Sequence, residues 1–247
     1  MLDAGLPAPA QGVFTTRRGG VSLPPWDSLN LAVHVDDAFA KVQRNRELVV
    51  EQLAGVDGLA FGKQVHGSAV RVVRGLSRKI SRGLDDTDGL VTTTPGVGLA
   101  MMGADCLPVL LAADGVVGAA HVGRPGLASG LLHEVVRVMR AEGAGAITAV
   151  IGPGICGLCY EVPPAMAGEV EKAVPGSRGR TRQGTTSIDL TRGAAAQLAA
   201  EGIAATTVGG CTLEQPELFF SYRRDGTTGR HAGIVWLPAT ATTERTT

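Results

Sequence analysis

The 247 residues carry 23 Lys+Arg against 23 Asp+Glu, a formal charge of zero, which argues against nucleic acid or an anionic membrane surface as the main partner. At 44% apolar and 19% charged residues the composition excludes disorder for the chain as a whole, and the length suffices to bury a core. With 35 Gly and only 4% aromatics, that core must come from Ala, Val, Leu and Ile joined by tight turns.

In chain order, a strand is predicted at Val13-Phe14-Thr15 and another over residues 29–35. Asp36 and Asp37 offer caps for a helix whose apolar positions Phe39, Val42, Val49, Val50 and Leu53 share one face, with Gly55 as its stop. Strands follow at 69–73 and 97–102, then two apolar runs, 107–112 and 116–121, joined through Asp114-Gly115, a hairpin signal. Residues 128–142 read as a helix ending at Gly143, 146–151 as a strand, and the polar, Arg-rich stretch 176–187 as a loop. Asp189 caps a further helix running to Gly202, and the tail from Ala239 to Thr247, nearly all Thr and Ala, reads as flexible. No internal repeat and no Pro- or Ser-rich linker divides the chain, so the expectation is a single mixed α/β domain over residues 1–247. No basic region leads an apolar stretch to a cleavage site, and the most apolar region, 99–122, is broken by Asp105 and Asp114. A cytoplasmic location follows as an expectation, with the four cysteines as reduced thiols.

The hairpin carries the most readable geometry. If Asp114-Gly115 form the turn, Ala113 faces Val116 and Pro108 lies opposite His121. Cys106 then shares a sheet face with His121 in a diagonal position, roughly 7–8 Å between backbone sites. Pro108 cannot donate to a ladder, so this end must be an edge or the opening of the strand pair, with room for a ligand. A thiol and an imidazole there permit a metal site, a Cys/His nucleophilic dyad, or coincidence. Zinc wants a third ligand, and His66, in the polar turn Lys63-Gln64-Val65-His66-Gly67, is the candidate.

Other residues read as structural. Cys156 and Cys159 form one C-x-x-C without a second pair, which favours packing, and His34 and His133 read as structural or solvated. Gly152-Pro153-Gly154 lacks the Lys and Ser/Thr of a P-loop. Tyr222-Arg223-Arg224-Asp225-Gly226, with Arg230 behind it, and Arg17-Arg18-Gly19-Gly20 place guanidinium groups on glycine turns, either solvated or suited to a phosphate-sized oxyanion.

Thr16-Arg17-Arg18-Gly19-Gly20-Val21-Ser22, Ser28-Leu29-Asn30-Leu31, Gln64-Val65-His66-Gly67, Ala104-Asp105-Cys106-Leu107-Pro108, Ala120-His121, Cys159-Tyr160-Glu161-Val162 and Phe219-Phe220-Ser221-Tyr222-Arg223-Arg224-Asp225-Gly226 together resemble the YfiH-like laccase-domain family over almost the whole chain. The resemblance implies a single α+β domain with mixed β-sheets flanked by helices, and a zinc ion held by His66, Cys106 and His121, the trio reached from the hairpin. It implies phosphorolysis of purine nucleosides (adenosine, inosine, guanosine or methylthioadenosine) with phosphate, plus adenosine deamination. Under it Arg17, Arg223 and Arg224 become phosphate candidates, and Asp105 a carboxylate for proton transfer or for fixing a histidine tautomer. The family usually continues His-Ala-Gly-Trp-Arg-Gly after the last histidine. This chain reads His121-Val122-Gly123-Arg124-Pro125-Gly126, so Arg124 stands in for the displaced arginine. Copper could replace zinc, but a multicopper polyphenol oxidase needs many histidines, commonly as His-X-His, and here five occur without such a pair. The alternatives are a cysteine hydrolase or amidase acting on cell-wall fragments, with Cys106 attacking and His121 as base, and a non-catalytic metal protein whose site Cys159 or Cys211 would close.

Overall fold

Residues 1–76 and 83–239 are described by the structure, a computed structural model, so the expected tail beyond residue 239 lies outside them. In chain order the elements are β1 (Leu2–Asp3), β2 (Gln11–Phe14), α1 (Phe39–Val50), β3 (Gly58–Phe61), β4 (Val70–Val72), β5 (Gly89–Thr92), β6 (Val97–Gly103), β7 (Leu107–Ala113) and β8 (Val116–Val122). They continue with α2 (Arg124–Ala128), α3 (Leu131–Ala141), β9 (Thr148–Ile151), α4 (Pro164–Ala173), β10 (Arg178–Arg180), β11 (Thr186–Ile188), α5 (Leu190–Ala200), β12 (Ala205–Thr207), α6 (Tyr222–Asp225) and β13 (His231–Trp236).

The strands form a five-stranded sheet ordered β1-β2-β13-β6-β3, a six-stranded sheet ordered β12-β9-β7-β8-β5-β4, and the β10-β11 hairpin, with both large sheets mixing parallel and antiparallel pairs. Alternation along the strands sorts the core into layers. Leu99 and Met101 of β6, Leu110 of β7, Val117 of β8 and Val235 of β13 meet between the sheets around Phe14. Val109, Leu111 and Val122 face outward against Leu131, Val135 and Met139 of α3 and Leu198 of α5. On the far side Ala100, Met102 and Ile234 pack under Val49 of α1. With both faces covered, every residue of β6, β7, β8 and β13 is buried, each fully buried Leu or Val being worth roughly 1.5–3 kcal/mol. Among the described residues no helix is long and apolar enough to cross a membrane.

The hairpin register is the expected one: Ala113 faces Val116 and Pro108 faces His121. Asp189 caps α5, its carboxylate accepting from the Arg192 N–H at 2.9 Å. Four expectations need correction. Residues 29–35 form no strand: Leu29 and Leu31 are buried, but Asn45 Nδ2 donates to the Ser28 and Asn30 carbonyls, and Arg46 Nε and Nη2 donate to that of Leu31. Side chains of α1 thus stand where a neighbouring strand would. Asp36 and Asp37 do not cap that helix. Ala38 is its N-cap without a side-chain bond, while the Asp37 carboxylate accepts from Ser22 and Asn30. The helix expected over 128–142 is present as α3 but starts at Leu131, because Gly130, whose φ of 77° lies in the left-handed region, separates it from the short α2. The supposed loop 176–187 contains the β10-β11 hairpin, closed by a Thr181–Thr185 hydroxyl pair at 2.6 Å.

His231 opens β13 wholly buried, and burial, helped by the Arg230 charge, holds its imidazole down to about 4. The unfolded chain binds this proton near pH 6.5 and the folded chain does not. Stability should therefore fall as pH drops from about 6.5 to 4 and level off below, by up to about 3 kcal/mol from this group. Urea titrations across that window should show a shallower loss in His231→Asn than in the wild type. Parallel curves would remove His231 from the account.

Candidate metal centre and its cavity

The ends of β6, β8 and the starts of β5, β7 and β13 converge at one edge of the two sheets, and His66, Cys106 and His121 meet there. His66 sits on the β3-β4 connection at φ 63°, a left-handed conformation that a non-glycine residue adopts only when held. Two anchors hold it. Gln64 donates through Nε2 to the Met102 carbonyl at 2.7 Å and accepts the Met102 N–H at 2.9 Å, so its amide mimics a strand at the end of β6. The Asp88 carboxylate, fully buried before β5, accepts the N–H groups of Val65, His66 and Gly67 at 3.2, 3.0 and 2.8 Å.

Asp88 Oδ1 also accepts from His121 Nδ1 at 2.8 Å, which fixes the imidazole so that Nε2 faces the other two ligands. Cys106 Sγ lies 3.6 Å from His66 Nε2, and the three potential ligand atoms lie within 4.8 Å of one another. The cradle tolerates no added atom. A Cβ on Gly123 would stand 2.7 Å from His66 Cδ2 and 3.0 Å from Cys106 Sγ. One thiol and two imidazoles around such a space, buried at His121 and open at His66, fit a three-ligand zinc-type site that keeps a position free. Because φ at Gly123 is −87°, alanine fits its backbone, and any loss in Gly123→Ala would come from crowding the ligands. Metal bound per chain should drop at least about tenfold, in the range known for changes next to metal ligands; full occupancy in this variant would mean the space is not the metal's.

Burial alone would push the Cys106 thiol up, but the His121 imidazole beside it, with His66 assisting, outweighs this and brings it down to about 6. Burial likewise disfavours a charged His121, yet Cys106 and Asp88 together raise it to about 9. Asp88 is held low by His121 and by the Gly67 and Val65 N–H groups against the effect of burial.

The trio opens on a cavity of about 410 Å³ whose walls include His34, Gln64, Tyr160, Tyr222, Arg223 and Arg230, a size ordinary for small-ligand sites. Asp105 also lines it, at φ 102°, but its carboxylate accepts from Thr212 Oγ1, Ser221 Oγ and the Arg223 N–H at 2.7, 2.7 and 2.6 Å. The carboxylate that fixes a histidine is Asp88, not Asp105. The expected arginines separate. Arg223 lines the cavity, with its guanidinium 5.0 Å above the Tyr160 ring and Nη1 on the Glu161 carbonyl. Arg124, at the start of α2, adjoins the Tyr160 phenol, which burial and the Cys106 charge push up and Arg124 and Arg223 pull down. Arg17 and Arg224 lie outside the lining. Arg17 bonds the Asp27 and Pro216 carbonyls beneath Phe220, and Arg224 bonds the Thr212 and Phe219 carbonyls and Asp225. The sequence had not singled out Asp88, Tyr160 or Tyr222 as site residues. Cys159 and Cys211 do not close the trio; they belong to a separate cluster.

Residues 11–238 match the family model described as multi-copper polyphenol oxidoreductase laccase. The chain is 48% identical over 235 residues to a purine nucleoside phosphorylase of Streptomyces griseus, covering 92% of this chain and 94% of that one. Its fold is similar to the Neisseria meningitidis protein NMB0706, with a TM-score of 0.85 and 35% identity over 96% of this chain and 99% of that one. It is also similar to a Bacillus licheniformis hypothetical protein, YfiH, with a TM-score of 0.81 and 31% identity over 92% of each chain.

Proposed function

The chain belongs to the multi-copper polyphenol oxidoreductase laccase family, and within it we propose that it acts as a zinc-dependent purine nucleoside phosphorylase. The substrates are adenosine, inosine, guanosine or methylthioadenosine together with phosphate, and adenosine deamination is a side activity. One observation carries the reading: an open ligand trio, two arginines and two phenol rings share one cavity. A relative named purine nucleoside phosphorylase supports it.

Arg223 and Arg230 supply the phosphate pole, since both line the cavity, and guanidinium forks suit phosphate oxygens. Tyr160 and Tyr222 offer aromatic faces for the purine. A phosphate oxygen bonds to ribose C1′ while the C1′–N9 bond breaks; the bonding pair leaves with the base, which takes up a proton. Asp105 positions Arg223 by accepting its N–H, and Arg124 steadies Tyr160. His66, Cys106 and His121 would hold zinc, which when bound supplies Lewis-acid polarisation and serves the deamination by activating water. Arg17 and Arg224 hold the loops behind the cavity.

Copper oxidase chemistry finds little support in the donor set, because His34 lines the cavity but stands outside the ligand group, His133 pairs with Glu201 outside the cavity and His231 is buried in the sheet. A cysteine hydrolase has one favourable observation, the lowered Cys106 thiol beside His121.

Incubation of adenosine or inosine with the protein should release free base and ribose 1-phosphate only when phosphate is present. Equal release in phosphate-free buffer would mean hydrolysis. Arg223→Ala should raise the phosphate KM about tenfold or more while moving the nucleoside KM less, the size expected for one charge-assisted bond. An equal rise in both would place Arg223 away from the phosphate.

A further inference from the structure

Across the cavity wall from the trio lies a second group of ligand-type side chains. Cys156 and Cys159 sit on the turn after Ile155, and Cys211 and Glu214 on the turn after β12; their ligand atoms all lie within 4.8 Å of one another. All three cysteines are free thiols. The spacing is C-x-x-C against C-x-x-E, so each turn contributes two donors, and the partner of the lone C-x-x-C contains one cysteine and one glutamate.

Both turns are built by backbone bonds. The Cys159 and Tyr160 N–H groups donate to the Cys156 carbonyl, and those of Glu214 and Gln215 to that of Cys211. The turns are joined where the Thr212 N–H reaches the Gly154 carbonyl and the Cys156 N–H points at Cys211 Sγ from 3.4 Å. Cys159 Sγ lies 3.3 Å from Glu214 Oε1, and Arg182 donates to that oxygen through Nε and Nη2 at 3.0 and 2.5 Å. Simple packing explains the burial of Cys211. It does not explain why Glu214 points its carboxylate at partly exposed thiols, or why an arginine is placed to offset its charge.

We propose that Cys156, Cys159, Cys211 and Glu214 form a second metal site of structural zinc type, separate from the His66-Cys106-His121 centre. Tetrahedral zinc with sulfur at about 2.3 Å wants donor atoms about 3.8 Å apart, so only a small inward adjustment is needed. Four protein ligands close the coordination shell, which marks a structural site rather than a reactive one. On binding, the three thiols release their protons to solvent, and the resulting excess negative charge faces Arg182. Without a dication, burial and the neighbouring groups keep the Cys156 and Cys159 thiols protonated.

The site would clamp two turns that shape the cavity. The first leads directly into Tyr160, and the second carries Thr212, whose hydroxyl holds Asp105. Loss of this metal should therefore loosen the wall and lower thermal stability even where the trio keeps its own ion.

The test is metal analysis of the full chain purified without chelator. Wild type should hold about two zinc per chain, Cys106→Ala about one, and Cys106→Ala with Cys211→Ser none. Because the double variant could fail to fold, Cys106→Ala is also loaded with cobalt. Retention of about one cobalt, with strong sulfur-to-cobalt charge-transfer absorption that weakens but survives in Cys106→Ala/Glu214→Gln, supports a three-thiolate site. The proposal is overturned if Cys106→Ala binds no metal, or if Cys156, Cys159 and Cys211 in native, zinc-replete wild type alkylate as fast as in the chelated protein. Recovery of a Cys156–Cys159 disulfide as the resting state would overturn it too.

Discussion

Cys106→Ala should lower kcat/KM for phosphorolysis by at least about 10³-fold and strip the metal from the trio. A metal's charge stabilisation of a transition state is worth several kcal/mol, each 1.4 of which is tenfold in rate. Two imidazoles remain in the variant, one of them exposed at the cavity mouth, and they make a poor site on their own. The cysteine-hydrolase reading predicts the same loss of activity, so activity alone does not separate the two. Metal content and thiol reactivity do. A nucleophilic Cys106 would leave the metal content of the protein unchanged by its removal and would react rapidly with iodoacetamide in the native enzyme, because a thiol lowered to about 6 is largely thiolate at neutral pH. A metal-bound Cys106 is shielded: chelation should abolish turnover and speed its alkylation, and zinc added back beforehand should restore turnover. Rapid labelling of zinc-loaded protein, with activity surviving the chelator, would promote the hydrolase reading.

The parts of this site that depend on local geometry were legible in the sequence. The Asp114-Gly115 turn fixes the count along both strands, and the period of two then puts Pro108 opposite His121 with Cys106 alongside. His66 was reachable because it sits in a polar turn before the strand expected at 69–73 and not inside an apolar run. What failed was long-range. The alternation at Leu29 and Leu31 correctly signals burial, but nothing in it says that Asn45 and Arg46, well along the chain, satisfy the backbone. Asp88 stands three residues from Asp85 and two from Asp86, and only the folded contacts distinguish the carboxylate that gathers four donors. The arginines looked equivalent as clusters on glycine turns. Their partners sort them: Arg17 and Arg224 already use all three guanidinium nitrogens, which leaves little for an anion, whereas Arg223 and Arg230 each commit Nη1 to carbonyls.

Asp88→Asn should weaken metal binding at the trio by about 10- to 100-fold, the usual consequence of removing the carboxylate behind a ligating histidine. Here the effect belongs at the upper end, since one carboxylate serves both histidines: it orients His121 through Nδ1 and shapes the His66 turn through three N–H groups. Asparagine keeps one acceptor oxygen and turns an NH2 toward donors that it cannot satisfy, and each buried donor left without a partner costs about 1–3 kcal/mol. Gln64→Ala provides the comparison. It frees the same turn from β6 but leaves His121 and its carboxylate untouched. Chelator-competition titrations should rank Asp88→Asn as the more damaging of the two, with melting temperature recorded for both to separate metal affinity from general loss of stability. If the variants weaken binding equally, the Asp88–His121 bond contributes nothing beyond holding the turn. Wild-type affinity in Asp88→Asn would show that the trio does not rely on this carboxylate at all.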